Sequence, residues 1–166
     1  MKKIVETERL YLREFTIDDA QLLIDLNSNP NVTRYPGDGP VKGIEEAKRI
    51  LTDVILPQYK NKIGRWAVHL KSNDEFIGWC GLKFIVEANE IDLGYRFFET
   101  HWRKGYASES AKAVMDYGVN TLKLKNIIAK AAKDNIASIL VIKKLGMVYL
   151  KDDLCDHDPA EIYVFT

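Results

Sequence analysis

The spacing of apolar residues changes at Arg65, and this change limits the possible folds more than any other feature of the chain. After it come three strand-like segments, RWAVHL (65–70), FIGWCGLKFI (76–85) and EIDLGYRFF (90–98). Turn-forming residues separate them, with KSNDE after the first segment and residues 87–89 after the second. Apolar runs joined by short polar turns are typical of hairpins, so the sequence predicts a three-stranded antiparallel meander.

Two helices precede the meander. Alternation over Arg9 to Phe15 predicts a first strand, and the spacing of Thr16 and Asp19 resembles a capping box that begins a first helix. Turn formers fill residues 27–40, which we interpret as a loop. Helical spacing then predicts a second helix over Ile44 to about Tyr59, with a proline in its last turn.

Helices and strands also follow the meander. A third helix is predicted from Gly105, a strand over KNIIAKAA (125–132), and a fourth helix over residues 135–146 with Asn135 as its N-cap. The end of the chain reads as a strand MVYL, an acidic loop over 151–161, and a last strand IYVFT. The sequence therefore predicts one α/β (α+β) domain over residues 1–166, with a mixed, mostly antiparallel sheet of about seven strands flanked by four helices.

Composition excludes several classes of function. The 24 Lys and Arg residues balance 24 Asp and Glu residues, so no net positive charge attracts nucleic acid or a membrane surface. No apolar run reaches the ~20 residues of a membrane span, and no apolar segment of a signal peptide follows Met1. Cys80 and Cys155 lack metal-ligand spacing, so we expect no metal and a cytoplasmic protein.

Two cations and a glycine precede the third helix in HWRKGYASES (101–110), where they contribute nothing to a core. A helix N-terminus carries unpaired backbone N–H groups and about half a positive charge. Because Gly105 has no Cβ, the backbone there can approach a diphosphate closely. Arg103, Lys104 and Ser108 add charge and a hydroxyl, so the segment predicts a diphosphate-binding cradle, with a solvated loop as the alternative.

A family resemblance strengthens this interpretation. IDLGYRFFETHWRKGYASES, followed by NIASILVIKKLGM, resembles the GNAT superfamily of N-acetyltransferases, and within it the RimJ/RimL-like branch of ribosomal-protein N-terminal acetyltransferases. TERLYLREFTIDDAQLL and FIGWCGL also resemble that branch. Trp102 stands where the superfamily signature has Gln or Arg, a replacement familiar in the branch. The resemblance implies the acyl-CoA N-acyltransferase fold.

The resemblance also implies a binding site for acetyl-CoA as cosubstrate. Its diphosphate is expected on the backbone amides of Arg103, Lys104, Gly105, Tyr106, Ala107 and Ser108. The pantetheine arm is expected along the strand at Phe97 and Phe98. In the later motif, the resemblance places Asn135, Ser138 and Lys144 close to the cofactor.

The expected reaction is acetylation of a primary amine, which must lose a proton before it attacks. Glu90 and Asp92 lie two residues apart and so share one face of their strand, whereas Ile91 and Leu93 point to the other. We take Asp92 as the first candidate for the proton acceptor and Glu90 as the second, with a merely solvated strand face as the alternative. A backbone N–H near Phe98 is a candidate donor to the oxyanion.

The sequence leaves three alternatives for protonation of the leaving thiolate. Many relatives carry a tyrosine for this step where this chain has Ile142. Here the donor is Ser138 or a water molecule, or the thiolate leaves without a donor. The acceptor is either a protein N-terminus or a small-molecule amine, and the chain is either a monomer or a homodimer. The alternative function is a non-catalytic acyl-CoA-binding or sensing domain, because a fold does not fix an activity.

Overall fold

A computed structural model describes residues 2–35, 39–155 and 157–166. In these ranges one mixed sheet has the strand order β1-β2-β3-β4-β5-β6-β8-β7. All neighbouring strands are antiparallel except β5 and β6, which run parallel. The strands are β1 (Lys3–Glu6), β2 (Leu10–Arg13), β3 (Arg65–Leu70), β4 (Phe76–Ile85), β5 (Glu90–Phe97), β6 (Ile127–Ala132), β7 (Val148–Cys155) and β8 (Asp158–Phe165).

Besides three short 3₁₀ turns (Ile17–Asp19, Tyr59–Asn61 and Glu99–His101), five α-helical segments accompany the sheet in the same ranges. They consist of α1 (Ala20–Leu26), α2 (Pro30–Thr33), α3 (Ile44–Ile50) continuing through a π-helical turn (Leu51–Ile55) into α4 (Leu56–Gln58), α5 (Tyr106–Asp116) with a π-helical turn (Tyr117–Thr121), and α6 (Ile136–Lys144). The turn before α4 widens where Pro57 has no N–H to donate, which explains why the helix continues past a proline.

The predicted α/β architecture is confirmed, with small differences in the number of elements. The meander β3–β4–β5 and the capping box at Thr16 and Asp19 are present as expected. The sequence reading missed strand β1, which pairs with β2. It also missed α2, a single turn within the predicted loop 27–40, of which residues 36–38 lie outside the described residues.

The acidic loop predicted over 151–161 is wrong, because β7 and β8 continue through most of it. Two ion pairs offset the repulsion between carboxylates in the acidic part of β7. The Asp152 carboxylate lies 2.8 Å from Lys133 Nζ, and the Asp153 carboxylate lies 3.3 Å from Lys130 Nζ. Asp156 lies outside the described residues.

Two apolar layers fix the sheet between its helices. On one face, α5 and α6 pack over a core that includes Leu82, Leu93 and Ile127. On the other face, α1 and α3 pack over a smaller core around Phe15 and Ala67. Burial of both faces holds the middle strands rigidly, so side chains on β5 have fixed positions.

Candidate functional site

The sheet opens between β5 and β6. These parallel strands pair only at Ile91 with Ile127 and at Asp92 with Ile128 within the described residues. In contrast, β5 pairs with β4 along its whole length. Past Asp92 the two strands therefore separate, and the edge of β5 from Leu93 to Phe97 faces a gap instead of a neighbouring strand.

A cavity of about 1480 Å³ fills this gap and extends over both sides of it. The opened strands, the beginnings of α5 and α6, and parts of α1 and α3 line it. Sites for drug-sized ligands usually measure about 300–1,000 Å³. This cavity exceeds that range, so it has room for more than one such ligand.

The beginning of α5 offers backbone donors at one end of the cavity. Gly105 has φ +84°, a left-handed conformation that favours glycine, and α5 starts at the next residue. The first intrahelical hydrogen bond runs from Glu109 N–H to Gly105 O. The N–H groups of Tyr106, Ala107 and Ser108 are therefore not used inside the helix, and an anion can accept hydrogen bonds from them.

Arg9, from the turn between β1 and β2, holds this segment in place. Its guanidinium donates to Lys104 O at 3.0 Å and to Glu109 Oε1 at 2.8 Å, and it lies over the Tyr106 ring. Burial raises the pKa of Glu109, but hydrogen bonds from Thr7 and Arg9 outweigh burial and leave that pKa lowered. Arg9 thus compensates a carboxylate that would otherwise repel an anion at the start of α5.

Most residues predicted to bind the cofactor line the cavity together: Phe97, Arg103, Gly105, Tyr106, Ala107, Ser108, Asn135, Ser138 and Lys144. Lys104 is exposed beside it and contributes its carbonyl to Arg9. Phe98 is also outside the lining, with its ring packed edge-on against Phe76. Its N–H donates to Ile77 O at 3.0 Å, so this N–H is not free to stabilise an oxyanion.

The two candidate carboxylates lie on the cavity side of β5 that faces α1 and α3. As predicted, they share a strand face, while Leu93 lies in the core on the other face. Arg65 donates to Asp92 Oδ2 at 2.8 Å and to the Asp92 backbone carbonyl at 3.1 Å. Glu90 makes no side-chain hydrogen bond or ion pair within the part of the chain that the structure describes.

A pair of hydroxyl groups connects β5 to α6 beside the gap between β5 and β6. Tyr95 Oη lies 2.9 Å from Ser138 Oγ, and both residues line the cavity. Burial raises the pKa of Tyr95, an effect that the hydrogen bond with Ser138 only partly opposes. Tyr95 is not among the site residues predicted from the sequence. The available signal was a tyrosine at an inward strand position, because a buried phenol usually requires a hydrogen-bond partner.

Asn135 caps α6 and also borders the cavity. Its Oδ1 accepts from Ser138 N–H at 3.4 Å, which confirms the predicted N-cap. Ile142, one turn after Ser138 on the same helix face, is buried and lines the cavity without a polar atom in its side chain. Lys144 is exposed near the end of this helix.

Two further observations concern metals and membranes. Within residues 2–35, 39–155 and 157–166, no group of three or more His, Cys, Asp or Glu side chains is arranged to hold a metal ion. None of the helices in those ranges has the length and apolar character needed to cross a membrane.

Comparison with known proteins agrees with this geometry. The family model for the acetyltransferase (GNAT) domain matches residues 9–148. N-acetyltransferase YoaA of Bacillus subtilis, described as uncharacterised, is 37% identical over 88% of this chain and 83% of its own length. N-acetyltransferase p20 of Bacillus licheniformis, also described as uncharacterised, is 32% identical over 96% of this chain and 93% of its own length.

A solved structure supports the fold. Spermidine N-acetyltransferase from Vibrio cholerae, in complex with CoA and spermine, superposes with a TM-score of 0.79. It covers 96% of each chain at 18% sequence identity, a level that establishes the shared fold alone. The names of the relatives favour an enzyme over the non-catalytic alternative.

Proposed function

The chain belongs to the family of GNAT acetyltransferase domains, and from this premise we propose that it transfers the acetyl group of acetyl-CoA directly to a primary amine. The observation that supports the proposal most is the gap between β5 and β6, which opens beside the unused N–H groups at the start of α5. A strand edge and a helix N-terminus in one cavity suit a ligand with an amide-containing arm and a diphosphate.

The residues of this cavity fit acetyl-CoA, which supplies an activated acetyl group as a thioester. The N–H groups of Tyr106, Ala107 and Ser108 would bind the diphosphate, with Arg103 and Lys104 adding positive charge. A Cβ at Gly105 would lie 3.2 Å from Arg9 Nη2, so the glycine leaves room where the backbone meets the anion. Phe97 and the open edge of β5 would lie beside the pantetheine arm, and Asn135 and Lys144 beside its other side.

Asp92 is the first proposed acceptor for the proton of the amine, and Glu90 the second. Arg65 binds Oδ2 of Asp92 and so fixes its orientation, while Oδ1 accepts no hydrogen bond within the described residues. A carboxylate held in one orientation can take the proton directly or through a water molecule. Glu90 lies on the same strand face, and its carboxylate has no hydrogen bond or ion pair with any residue that the structure describes.

The acceptor that we propose is either a protein N-terminus, as in the RimJ/RimL-like branch, or a small-molecule amine. Carboxylates and cations both line the cavity surface that faces α1 and α3, so its charge does not distinguish between these two kinds of acceptor. We propose that the protein is cytoplasmic, that it is a monomer or a homodimer, and that it binds neither a membrane nor nucleic acid.

The test measures release of free thiol from acetyl-CoA in the presence of purified protein and a panel of amines. The panel contains spermidine, spermine, free amino acids and short peptides with an unblocked N-terminus. We expect thiol release with one class of amine and an acetylated product of matching mass. If acetyl-CoA fails to bind in calorimetry, or binds without transfer to any amine, the proposed activity is wrong.

A further inference from the structure

One wall of the cavity, beside the proposed proton acceptor, is apolar. Its members lie on the side of the sheet that faces α1 and α3, and we call them the apolar wall: Ile50, Val54, Trp79 and Ile85. The first two lie one turn apart on α3 and the π-helical turn after it. The other two lie on β4, where Ile85 is opposite Glu90 in the ladder with β5. The wall therefore borders the strand face that carries both candidate carboxylates.

The apolar wall differs from the core beneath it. On α3 and the turn after it, Ala47, Leu51 and Ile55 recur every four residues and are buried in the smaller core. Ile50 and Val54 form the neighbouring stripe, and Val54 remains 42% exposed. The helix thus packs one apolar stripe on the sheet and turns a second one toward the cavity, as expected where an apolar part of a ligand binds.

Arg65 connects the apolar wall to the proposed proton acceptor. Its Cζ lies 4.8 Å from the centroid of the Trp79 ring, and its Nη2 donates to Asp92 Oδ2 at 2.8 Å. Gly94 leaves room for this arrangement, because a Cβ there would lie 3.0 Å from Arg65 Nη2. One guanidinium group thus separates the indole from the carboxylate, a span that the first few carbon atoms of an acceptor can bridge.

Charged groups border the apolar wall. Glu46 lies one turn before Ile50, and Lys83 is opposite Asp92 in the ladder of β4 and β5. Because a carboxylate and an ammonium group both lie beside the wall, charge favours neither a cationic nor an anionic acceptor. The apolar surface is then the feature that discriminates, since a polar group placed against it loses hydrogen bonds with water that aliphatic side chains cannot replace.

We infer that the acceptor is a primary amine next to an aliphatic or aromatic hydrocarbon group, and that this group binds against the apolar wall. The inference rests on the proposed acetyl transfer and deepens it by naming the chemical class of the acceptor. Two sources carry this chemistry: a polypeptide whose first residue is apolar, and a free alkyl or arylalkyl amine. In the transfer, the amine nitrogen gains the acetyl carbon and loses one proton, while the sulfur keeps the electron pair of the broken bond and gains one proton.

Acceptors of equal shape test the inference at constant size. The wild-type protein and acetyl-CoA are combined with the amide of leucine or asparagine, and with the amide of valine or threonine. Thiol release gives kcat/KM for each amide. We expect the apolar member of each pair to exceed its polar isostere by about 10-fold, because an apolar site discriminates by this order. Calorimetry of leucine amide and asparagine amide against the protein saturated with CoA should show the same preference in Kd without turnover.

Two further pairs distinguish the sources of the amine. The tripeptides Leu-Ala-Ala and Asn-Ala-Ala represent a polypeptide, and 3-methylbutylamine and its polar isostere 3-aminopropanamide represent free amines. A preference in the tripeptide pair alone assigns the site to a polypeptide N-terminus. A preference in the free-amine pair alone assigns it to small molecules.

Substitution of Val54 tests whether the apolar wall causes the preference. Val54→Gln places an amide among the apolar groups at an exposed position, so Tm should stay unchanged while most of the preference is lost. Trp79→Phe keeps an apolar ring and should retain the preference. The matched control Val86→Gln changes a valine that is 71% exposed between β4 and β5, outside the residues that line the cavity. It should leave both the preference and kcat/KM as in the wild type.

The opposite results overturn the inference. If polar and apolar isosteres react equally, or if the preference persists in Val54→Gln, the apolar wall does not select the acceptor. Faster transfer to asparagine amide or to spermidine than to every apolar amine would also make this inference wrong, while the proposed acetyl transfer would stand. If no amine is acetylated, the proposed function is wrong, and this inference is wrong with it.

Discussion

Replacing Gly105 by alanine separates the two roles of this glycine, and Gly146 provides a matched control. Both glycines have φ +84°, so an alanine pays the same backbone cost at either position. At Gly146 the new methyl group meets Phe165 Cε2 at 3.8 Å, an ordinary van der Waals contact, and no other atom of the described residues within 4 Å. At Gly105 it lies 3.2 Å from Arg9 Nη2, beside the N–H groups that begin α5.

The stability cost should be similar in the two variants. A left-handed conformation costs an alanine about 1–2 kcal/mol, and the stiffer unfolded chain returns part of this, so each variant should lose about 1 kcal/mol. For a chain of this size, that loss lowers Tm by about 2–4 °C. The Arg9 side chain is about half exposed and can move a few tenths of an ångström, so crowding adds little to the cost at Gly105.

The effect on binding should differ. A methyl group at Gly105 that displaces the diphosphate from one backbone N–H removes a charge-assisted hydrogen bond, which costs about 1.5–3 kcal/mol. The Kd for acetyl-CoA, measured by calorimetry, should therefore rise about 10- to 100-fold in Gly105→Ala and stay unchanged in Gly146→Ala. Urea unfolding of both variants supplies the stability comparison. Equal affinity in the two variants would refute the assignment of this segment to the diphosphate.

Three further predictions concern the carboxylates, the cap of α6 and a buried histidine. Asp92→Asn should lower kcat/KM by about 10²-fold near neutral pH, and kcat/KM should recover in part at higher pH. A loss that does not depend on pH, or an equal loss in Glu90→Gln, contradicts Asp92 as the first candidate for the proton acceptor. Asn135→Ala should lower the free energy of unfolding in urea by about 1 kcal/mol. If the Kd for acetyl-CoA does not change, Asn135 acts only as the N-cap of α6. Burial lowers the pKa of His69, whose Nε2 accepts a hydrogen bond from Arg13. Protons therefore bind the unfolded chain more readily than the folded one, and the free energy of unfolding should fall as the pH drops below about 6.5. His69→Gln should flatten that dependence between about pH 7.5 and about pH 5.5, and an equally steep curve would place its origin elsewhere.

The sequence predicted the elements whose signals are local. The meander after Arg65, the capping box at Thr16 and the cap at Asn135 each depend on a few neighbouring residues, and all three are present. The acidic end of β7, residues 151–155, was missed because its stability depends on Lys130 and Lys133, which lie on another strand and the loop after it. A local pattern contains no information about such partners.

The residues that line the cavity were predictable to a similar extent. The segment before α5 could be singled out because glycine and two cations at a helix start have few structural reasons to be there. The meeting of Tyr95 and Ser138 could not, since it requires the sheet to open after Asp92 and α6 to cross the opening. The partner of Asp92 was equally hidden, because Arg65 reaches it from β3 across β4.

The contact between Arg9 and the start of α5 also bears on the order in which the protein folds. It joins residues separated by 100 positions, from Arg9 to Glu109. Contacts between such distant residues form late, because a long loop must close before they stabilise anything. The meander and α5 can form from nearer neighbours, but the carbonyl of Lys104 finds its donor only when the first strands reach it. During refolding, affinity for acetyl-CoA should therefore appear after most of the helical signal, so that binding reports the last stage of folding.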